Sequence, residues 1–362
     1  MSRLRVGVVG LGVGRMHVWS YQQLPEHFEV VAVCDPDDER TATVRTHQNV
    51  ARSYRDLGEM LAREPLDVVS LCTPPHLHLE QCRTALAAGL HVVCEKPLVA
   101  SLAEVDALVR DEASAAGRLM PVLQYRFGAG VQRLRRLMDA GVTGRAYVTT
   151  VETAWLRGAD YYAAPWRGRW ETELGGVLLT HASHAHDLLC FVLGPVGRVF
   201  ARTATRVNDV ETEDCAGAVL EMADGSIATL ATTLGSQVEI TRLRFCFEKL
   251  TAESALAPYA PGDDPWTITP ADASAGEAID AALRDFAPPA AGYVGQFAAF
   301  AEALSRDAEL PVTLADARRS LELVTALYHS QDVGTPVSLP LAPDHPKYAS
   351  WLPERAADAR HR

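Results

Sequence analysis

Cys94-Glu95-Lys96-Pro97 sets a carboxylate and a lysine at the end of an apolar run, His91 to Cys94, just ahead of a well-signalled helix. Open α/β sheets bind their ligands at the carboxyl ends of such strands. A second reactive stretch is Thr180-His181-Ala182-Ser183-His184-Ala185-His186-Asp187, followed by apolar Leu188 to Leu193 and a stop at Gly194-Pro195. His181, His184 and Asp187 recur every three residues and share a face if helical, with His186 turned away. An imidazole titrates near neutral pH, so His184 suits general acid/base work, whereas His186 fits a core histidine. Three histidines also raise zinc. The spacing is not His-x-x-x-His and no cysteine-rich partner is near, so no metal is assigned.

A third stretch is Gly10-Leu11-Gly12-Val13-Gly14, between the apolar strand Val6 to Val9 and a helical segment through Trp19 to Leu24. Strand, glycine turn and helix together bring backbone N–H groups to a pyrophosphate, which assigns Gly10, Gly12, Val13 and Gly14 to a dinucleotide. The third glycine comes one residue earlier than in G-x-G-x-x-G. A second strand, Val30 to Cys34, ends in Asp35, about twenty residues beyond the glycines, where a carboxylate accepts from ribose hydroxyls and repels a 2′-phosphate. Asp37 and Asp38 also favour NAD over NADP; Arg40 pulls the other way. Asp35 can equally cap a helix ahead of Pro36. Lys96 then faces the cofactor on one side and a substrate hydroxyl on the other.

The elements that position these groups follow in order. Asp56 with Glu59, and Ser101 with Glu104, are capping boxes. Leu66 to Cys72 is a buried strand delivering Thr73, Pro74, Pro75 and His78 as a wall beside the cofactor; Leu77 to Ala88 is a helix closed by Gly89. Met120 to Gln124 is one more strand, and Gln124 joins the cofactor set. The spacing of elements predicts a Rossmann doubly wound sheet over 1–125, an α+β domain over 126–342 and a tail over 343–362. In the second half, helix 129–139 precedes a strand from Arg145 to Trp155. Asp224-Gly225 joins Cys215–Met222 to Ser226–Leu234 as a hairpin. Ala-, Pro- and Asp-rich 251–289 reads as a surface insertion or long loop, followed by helices over Tyr293 to Leu304 and Leu314 to Gln331, the latter capped by Thr313. In the tail, Pro346, Tyr348 and Trp351 lie along a neighbour or the sheet edge.

Length and charge narrow the functions. At 362 residues, two domains are expected, and 48% apolar with 22% charged residues is a soluble globular balance. A net charge of −12 opposes a nucleic-acid surface, and Arg133, Arg135 and Arg136 read as a solvated helix face. No apolar run approaches a membrane span and the chain enters a strand at once, so a cytoplasmic protein without signal peptide is expected. The seven cysteines read as buried free thiols.

Gly10 to His17, Thr73-Pro74-Pro75 with His78, Ala88 to Pro97, and Gly175-Gly176 followed by His184 and Asp187 resemble the glucose–fructose oxidoreductase, inositol dehydrogenase and rhizopine-catabolism (Gfo/Idh/MocA) family over nearly the whole chain. The resemblance implies a second domain with a large, mostly antiparallel open sheet that also builds a homodimer or homotetramer. It implies NAD-dependent oxidation of a sugar, sugar derivative or cyclitol hydroxyl, with Lys96 and His184 catalytic. Many members carry an aspartate four residues before the histidine; this chain has Thr180, and His181 or Asp187 is left to take part of that role. Arg126, Tyr161, Trp166, Arg167, Trp170 and His181 are assigned to substrate, since aromatic faces meet the C–H side of a sugar and arginines fork onto its oxygens. The stretch 161–171 could otherwise be a loop packed on the sheet. Two other outcomes fit the same family: transient oxidation by tightly held NAD during glycoside cleavage or epimerisation, and a non-catalytic NAD-binding regulator.

Overall fold

The computed structural model describes residues 3–353. Its first part alternates strand and helix: β1 (Leu4–Val9), α1 (Gly14–Gln22), β2 (Phe28–Cys34), α2 (Asp38–Gln48), β3 (Arg52–Tyr54), α3 (Leu57–Arg63), β4 (Val68–Leu71), α4 (His78–Ala87), β5 (His91–Cys94), α5 (Leu102–Ser114) and β6 (Leu119–Pro121). All pairings are parallel, in the order β3-β2-β1-β4-β5-β6. The strands are short and apolar because helices cover both faces, leaving Val6, Val8, Val68, Val69, Val92 and Val93 without solvent exposure. Strand order reverses at β1 and β4, so the glycine turn and the loop after β4 emerge at the switch point. The N-cap bond forms at both predicted boxes: Asp56 accepts from Glu59 N at 3.0 Å, and Ser101 from Glu104 N at 3.2 Å, with Glu104 reaching back to Ala100 N at 2.8 Å. The strand expected over Met120 to Gln124 stops at Pro121, and Gln124–Phe127 is a turn of 3₁₀ helix.

The second part runs α6 (Ala129–Asp139), β7 (Ala146–Leu156), α7 (Ala159–Tyr162), α8 (Trp170–Glu173), α9 (Val177–Thr180), α10 (Ser183–Leu193), β8 (Val196–Ala204), β9 (Cys215–Met222), β10 (Ile227–Thr233), β11 (Gly235–Phe247), β12 (Leu250–Glu253), β13 (Thr267–Pro270), α11 (Ala273–Leu283), α12 (Gly292–Ser305), α13 (Leu314–Val333) and β14 (Val337–Ser338). Eight strands form one sheet in the order β13-β12-β11-β7-β10-β9-β8-β14, antiparallel except for β10 against β7. The Asp224-Gly225 hairpin is present, with Gly225 at φ 85° and Val219 opposite Thr229. Along β10, Ala228, Leu230 and Thr232 are buried while Ile227 and Ala231 face outward. Register places Ile227 beside Val148 and Val219 beside Phe200, so the outward face carries these four exposed apolar side chains. The stretch 251–289 differs from the expected loop. It holds β13 and α11, the latter capped by Asp272 onto Ala275 N at 2.8 Å. Small side chains, mostly alanine in α11, mask the periodicity there.

The chain divides into two compact units, one formed by residues up to Leu123 with Tyr293–Arg318, the other by Gln124–Gly292 with the residues from Arg319 on. The segment 293–318, expected inside the 126–342 domain, thus packs with the Rossmann sheet. Gln296, fully buried, accepts from Leu123 N at 3.1 Å and donates to Pro121 O at 2.7 Å, while Phe297 stacks on Tyr21 at 4.2 Å. In the tail, Trp351 is buried and its indole N–H donates to Leu174 O at 2.7 Å. The rest of that expectation, residues 354–362, lies outside the described residues. Gln296→Leu leaves a buried N–H and C=O without partners and should cost about 3 kcal/mol. Urea unfolding reads this as a lower midpoint at unchanged slope.

Candidate active site

The glycine turn is shaped by close approach on one side and open space on the other. Gly10 sits at φ 84°, where an added Cβ would stand 2.6 Å from Cys72 O; at Gly14 it would meet Val8 at 3.1 Å, so helix and strand close tightly. At Gly12 it would meet nothing within 4 Å. The α1 N-cap is Val13, which caps no N–H with its side chain, so the helix N-terminus has no side-chain cap of the kind that would compete with an anion. Beside it lies a cavity of about 540 Å³ lined by Leu11, Gly12, Arg15, Asp37 and Arg40 among others. Asp35 is buried; one oxygen accepts from Leu11 N at 2.7 Å and the other from Asp37 N at 2.9 Å. The helix cap is Asp37, not Asp35. Asp35 therefore orients the glycine turn, and its remaining lone pairs can accept from hydroxyls. Arg40 is drawn onto Asp37 at 3.4 Å and Asp35 at 3.9 Å.

Glu95 points inward from the end of β5 and is 5% exposed. It accepts from Tyr293 OH at 2.7 Å and Lys96 N at 3.0 Å, and meets His17 Nε2 at 3.1 Å. His17 Nδ1 in turn meets Ser70 Oγ in β4 at 2.8 Å. Burial works against the Glu95 charge, but His17, Lys96 and Tyr293 outweigh it and hold the carboxyl at about 2. The backbone of Lys96 is thereby fixed, with its side chain half-buried. His78, fully buried, joins the two loops: Nδ1 meets Pro97 O at 3.0 Å and Nε2 meets Thr73 O at 2.8 Å. Burial keeps its pKa low against those carbonyls. Thr73 itself donates to Gln81 at 2.6 Å. The first-unit residues expected to hold the cofactor thus lie at the carboxyl ends of β1, β2, β4 and β5; Gln124 is buried in the second unit.

In the second unit, Gly175-Gly176 is held by a buried carboxylate. Glu213 accepts from Gly176 N at 3.0 Å, Leu178 N at 3.1 Å and Tyr328 OH at 2.9 Å. An added Cβ on Gly176 would stand 1.7 Å from Glu213 O, so only glycine fits. Burial pushes Glu213 up to about 7 against these donors. The Thr180 hydroxyl donates to Gly176 O at 2.7 Å and lies 2.7 Å from His181 Nδ1. His181 ends α9 and His184 lies in α10, so the two belong to different turns rather than one continuous face. His184 is buried and stacks on Tyr125, with centroids 4.2 Å apart and planes inclined by 28°. Arg126 and Asp187, assigned to substrate and accessory roles, form a bidentate buried pair at 2.8 and 2.6 Å. His186 is buried, and desolvation lowers it to about 4.

The aromatic stretch alternates rings with guanidinium groups. Arg157 lies over Trp155 at 5.0 Å and Tyr161 at 5.4 Å; Arg167 lies over Tyr161 at 3.9 Å and Trp166 at 4.2 Å. Each arginine also pairs with a carboxylate, Glu239 at 2.6 Å and Glu173 at 3.0 Å, so the ladder brings little net charge. His181 meets the Trp155 ring edge-to-face at 5.5 Å and the Tyr161 ring at a 52° tilt at 5.4 Å. Trp170 turns aside, donating to Glu211 O at 2.9 Å. Sequence reasoning passed over His17, Tyr293, Glu213 and Tyr125. His17 alone carried a local signal, a polar residue on the inward stripe of α1 with Gly14, Val18 and Tyr21.

A parallel sheet reversing at β1 and β4, a glycine turn open at Gly12 and an acidic end to β2 define a Rossmann dinucleotide-binding unit joined to a sheet domain. Residues 4–122 match the oxidoreductase family with NAD-binding Rossmann fold, and residues 131–253 match the C-terminal domain of the same Gfo/Idh/MocA family. The chain belongs to that family and is an NAD-dependent oxidoreductase. It is similar to the D-glucoside 3-dehydrogenase of Escherichia coli, 28% identical over 93% of this chain and 98% of the relative. It also resembles D-xylose 1-dehydrogenase (NADP(+)) 2 of Haloferax volcanii, 28% identical over 92% of this chain and 99% of that one. Among solved structures, the WlbA dehydrogenase from Bordetella pertussis in complex with NADH and UDP-GlcNAcA superposes with a TM-score of 0.82. It is 30% identical, covering 94% of this chain and 100% of that one.

The Glu95 network makes an acid-side prediction. A carboxyl held at about 2 when folded, against 4.5 as its ordinary value, contributes stability that is complete above about pH 4.5 and lost as pH falls toward 2. Glu95→Gln removes that component. Urea midpoints measured from about pH 6 down to about pH 3 should therefore fall less steeply in the variant than in the parent. Parallel slopes would rule out Glu95 as a buried ionised group.

Proposed function

We propose that this chain reversibly oxidises a secondary hydroxyl of a sugar, sugar derivative or cyclitol. The observation that carries the reading is Glu95, whose buried carboxylate fixes the backbone of Lys96 at the carboxyl end of β5, beside a glycine turn open at Gly12. The relatives that share both domains are named as sugar dehydrogenases, which supports the substrate class. NAD, when bound, supplies the hydride acceptor. Gly10, Gly12, Val13 and Gly14 are assigned to its pyrophosphate, Asp35 to the adenosine ribose, and Thr73, Pro74 and His78 to the wall beside the nicotinamide.

In this reading Lys96 donates to the hydroxyl oxygen and stabilises alkoxide character as the C–H bond weakens. His184 takes the hydroxyl proton, and returns it in the reverse direction. Thr180 is a hydroxyl already committed to Gly176 O and cannot supply negative charge. His181, with the rings of Trp155 and Tyr161, is assigned to substrate contact. Because Arg157 and Arg167 are each matched by a carboxylate, that wall suits an uncharged ring face better than an acidic group.

A panel of glucosides, free aldoses, inositols and nucleotide-linked uronic acids, followed by NADH absorbance, identifies the substrate. With it, Lys96→Met should lower kcat by about 100-fold or more while NAD affinity stays within about threefold. Normal turnover by that variant would sink the mechanism.

The outward face of the eight-stranded sheet is assigned to a second copy of this chain. Val148, Phe200, Val219 and Ile227 are each 40% or more exposed there, an apolar patch of the kind that subunit interfaces use. Light scattering should show a dimer or tetramer, and Val219→Lys should shift the mass toward the monomer. A monomeric parent protein would refute the assignment.

A further inference from the structure

We propose that Tyr125 is the positioning residue of His184: the 3₁₀ turn Gln124–Phe127 grips α10 at two points, setting the plane of the imidazole and stabilising its protonated form. The proposal rests on the acid/base reading of His184 given above. The first point is the Tyr125 ring, stacked on the imidazole at 4.2 Å with 28° between planes. The second is Arg126, whose guanidinium forks onto Asp187 at 2.8 and 2.6 Å. His184 and Asp187 lie three residues apart, on one side of the helix, so neighbouring residues of the turn meet neighbouring positions of α10.

The turn itself is held rigidly. An added Cβ on Gly262 would stand 2.0 Å from Tyr125 O, and one on Gly128 would stand 2.1 Å from the Gly262 carbonyl carbon, so the two backbones touch. Gln132 also donates to Arg126 O at 2.5 Å, closing the turn onto α6. A ring on so fixed a backbone defines a plane rather than following one.

The chemistry follows from the charge around the histidine. Asp187, the carboxylate on the same side of α10, is matched by Arg126. An imidazolium formed at His184 meets the electron-rich face of a phenol, which attracts a cation where water is excluded. A ring face also holds the imidazole without competing for the nitrogen that must exchange the proton.

The test uses the full-length enzyme with 13C-labelled histidine. Tyr125→Leu removes the ring, Tyr125→Met removes it while keeping more of the volume, and Tyr125→Phe keeps the face. Ring current should displace the His184 carbon-bound proton resonances in the parent, identified by their loss in His184→Gln. They should return toward ordinary imidazole positions in the Leu and Met variants and stay displaced in the Phe variant. With the active sugar, the Leu and Met variants should lose about tenfold in kcat with KM and NAD affinity little changed, and Tyr125→Phe should recover most of that loss. Unmoved His184 resonances in both Leu and Met variants would overturn the stack. Parent-level turnover in those variants, with His184→Gln inactive, would overturn the positioning role alone. Parent-level turnover by His184→Gln would overturn the acid/base reading and the proposal's catalytic part with it, while the resonances would still report the stack.

Discussion

A carboxylate stripped of water is tolerated only where donors and opposite charge replace its hydration, and the first unit is arranged around one such group. Glu95 draws its partners from three places: His17 on α1, Tyr293 on α12 and the N–H of Lys96. Because His17 also meets Ser70 on β4, and Tyr21 OH reaches the same hydroxyl at 3.4 Å, a polar string ties the returning helix to the sheet interior. Breaking such a set costs about 3–5 kcal/mol, since it leaves a charge buried without compensation. The consequence for chemistry is local. The backbone next to Glu95 has no freedom, so the ammonium of Lys96 moves only through its own side chain.

The second unit repeats this solution with different chemistry. Glu213 gathers two backbone N–H groups and Tyr328 around the Gly175-Gly176 turn, and Trp351 secures the neighbouring Leu174 carbonyl. No cation pairs with Glu213 through these bonds, which is why burial raises its pKa while Glu95, beside His17 and Lys96, is held low. The two carboxylates do different jobs with the same means. One fixes a lysine at a strand end, the other fixes the turn from which Thr180 and His181 extend.

Local signals made much of this legible. Capping boxes at Asp56 and Ser101, the Asp224-Gly225 hairpin and the apolar strands of the parallel sheet are each decided by neighbours a few residues apart, so periodicity and turn chemistry suffice to find them. The partners of the buried carboxylates are not local: Tyr293 lies 198 residues from Glu95, and Tyr328 lies 115 from Glu213. Nothing in Tyr293 to Leu304 distinguishes a helix of one domain from a helix returning to the other. Composition misled in one place as well, because Ala-, Pro- and Asp-rich residues over 251–289 hide β13 and α11 behind small side chains. In the aromatic stretch the residue types were evident, yet the arginines lying on the faces of Tyr161 and Trp166 became visible only once the chain was folded.

The electrostatics of His184 turn on what kind of group faces it. A carboxylate partner stabilises imidazolium strongly, but it also claims a ring nitrogen and carries its own desolvation cost, which falls due whenever the imidazole is neutral. A phenol face gives less, about 0.5–2 kcal/mol, does not itself claim a ring nitrogen and loses nothing when the proton departs. Tyr125 offers His184 a face of the second kind, and Arg126 pairs with Asp187 on the same helix. A base supported in this way has a smaller gap between its protonated and neutral forms than one locked to a carboxylate. That suits the proposed role of His184, which takes a proton from an alcohol in one direction and returns it in the other.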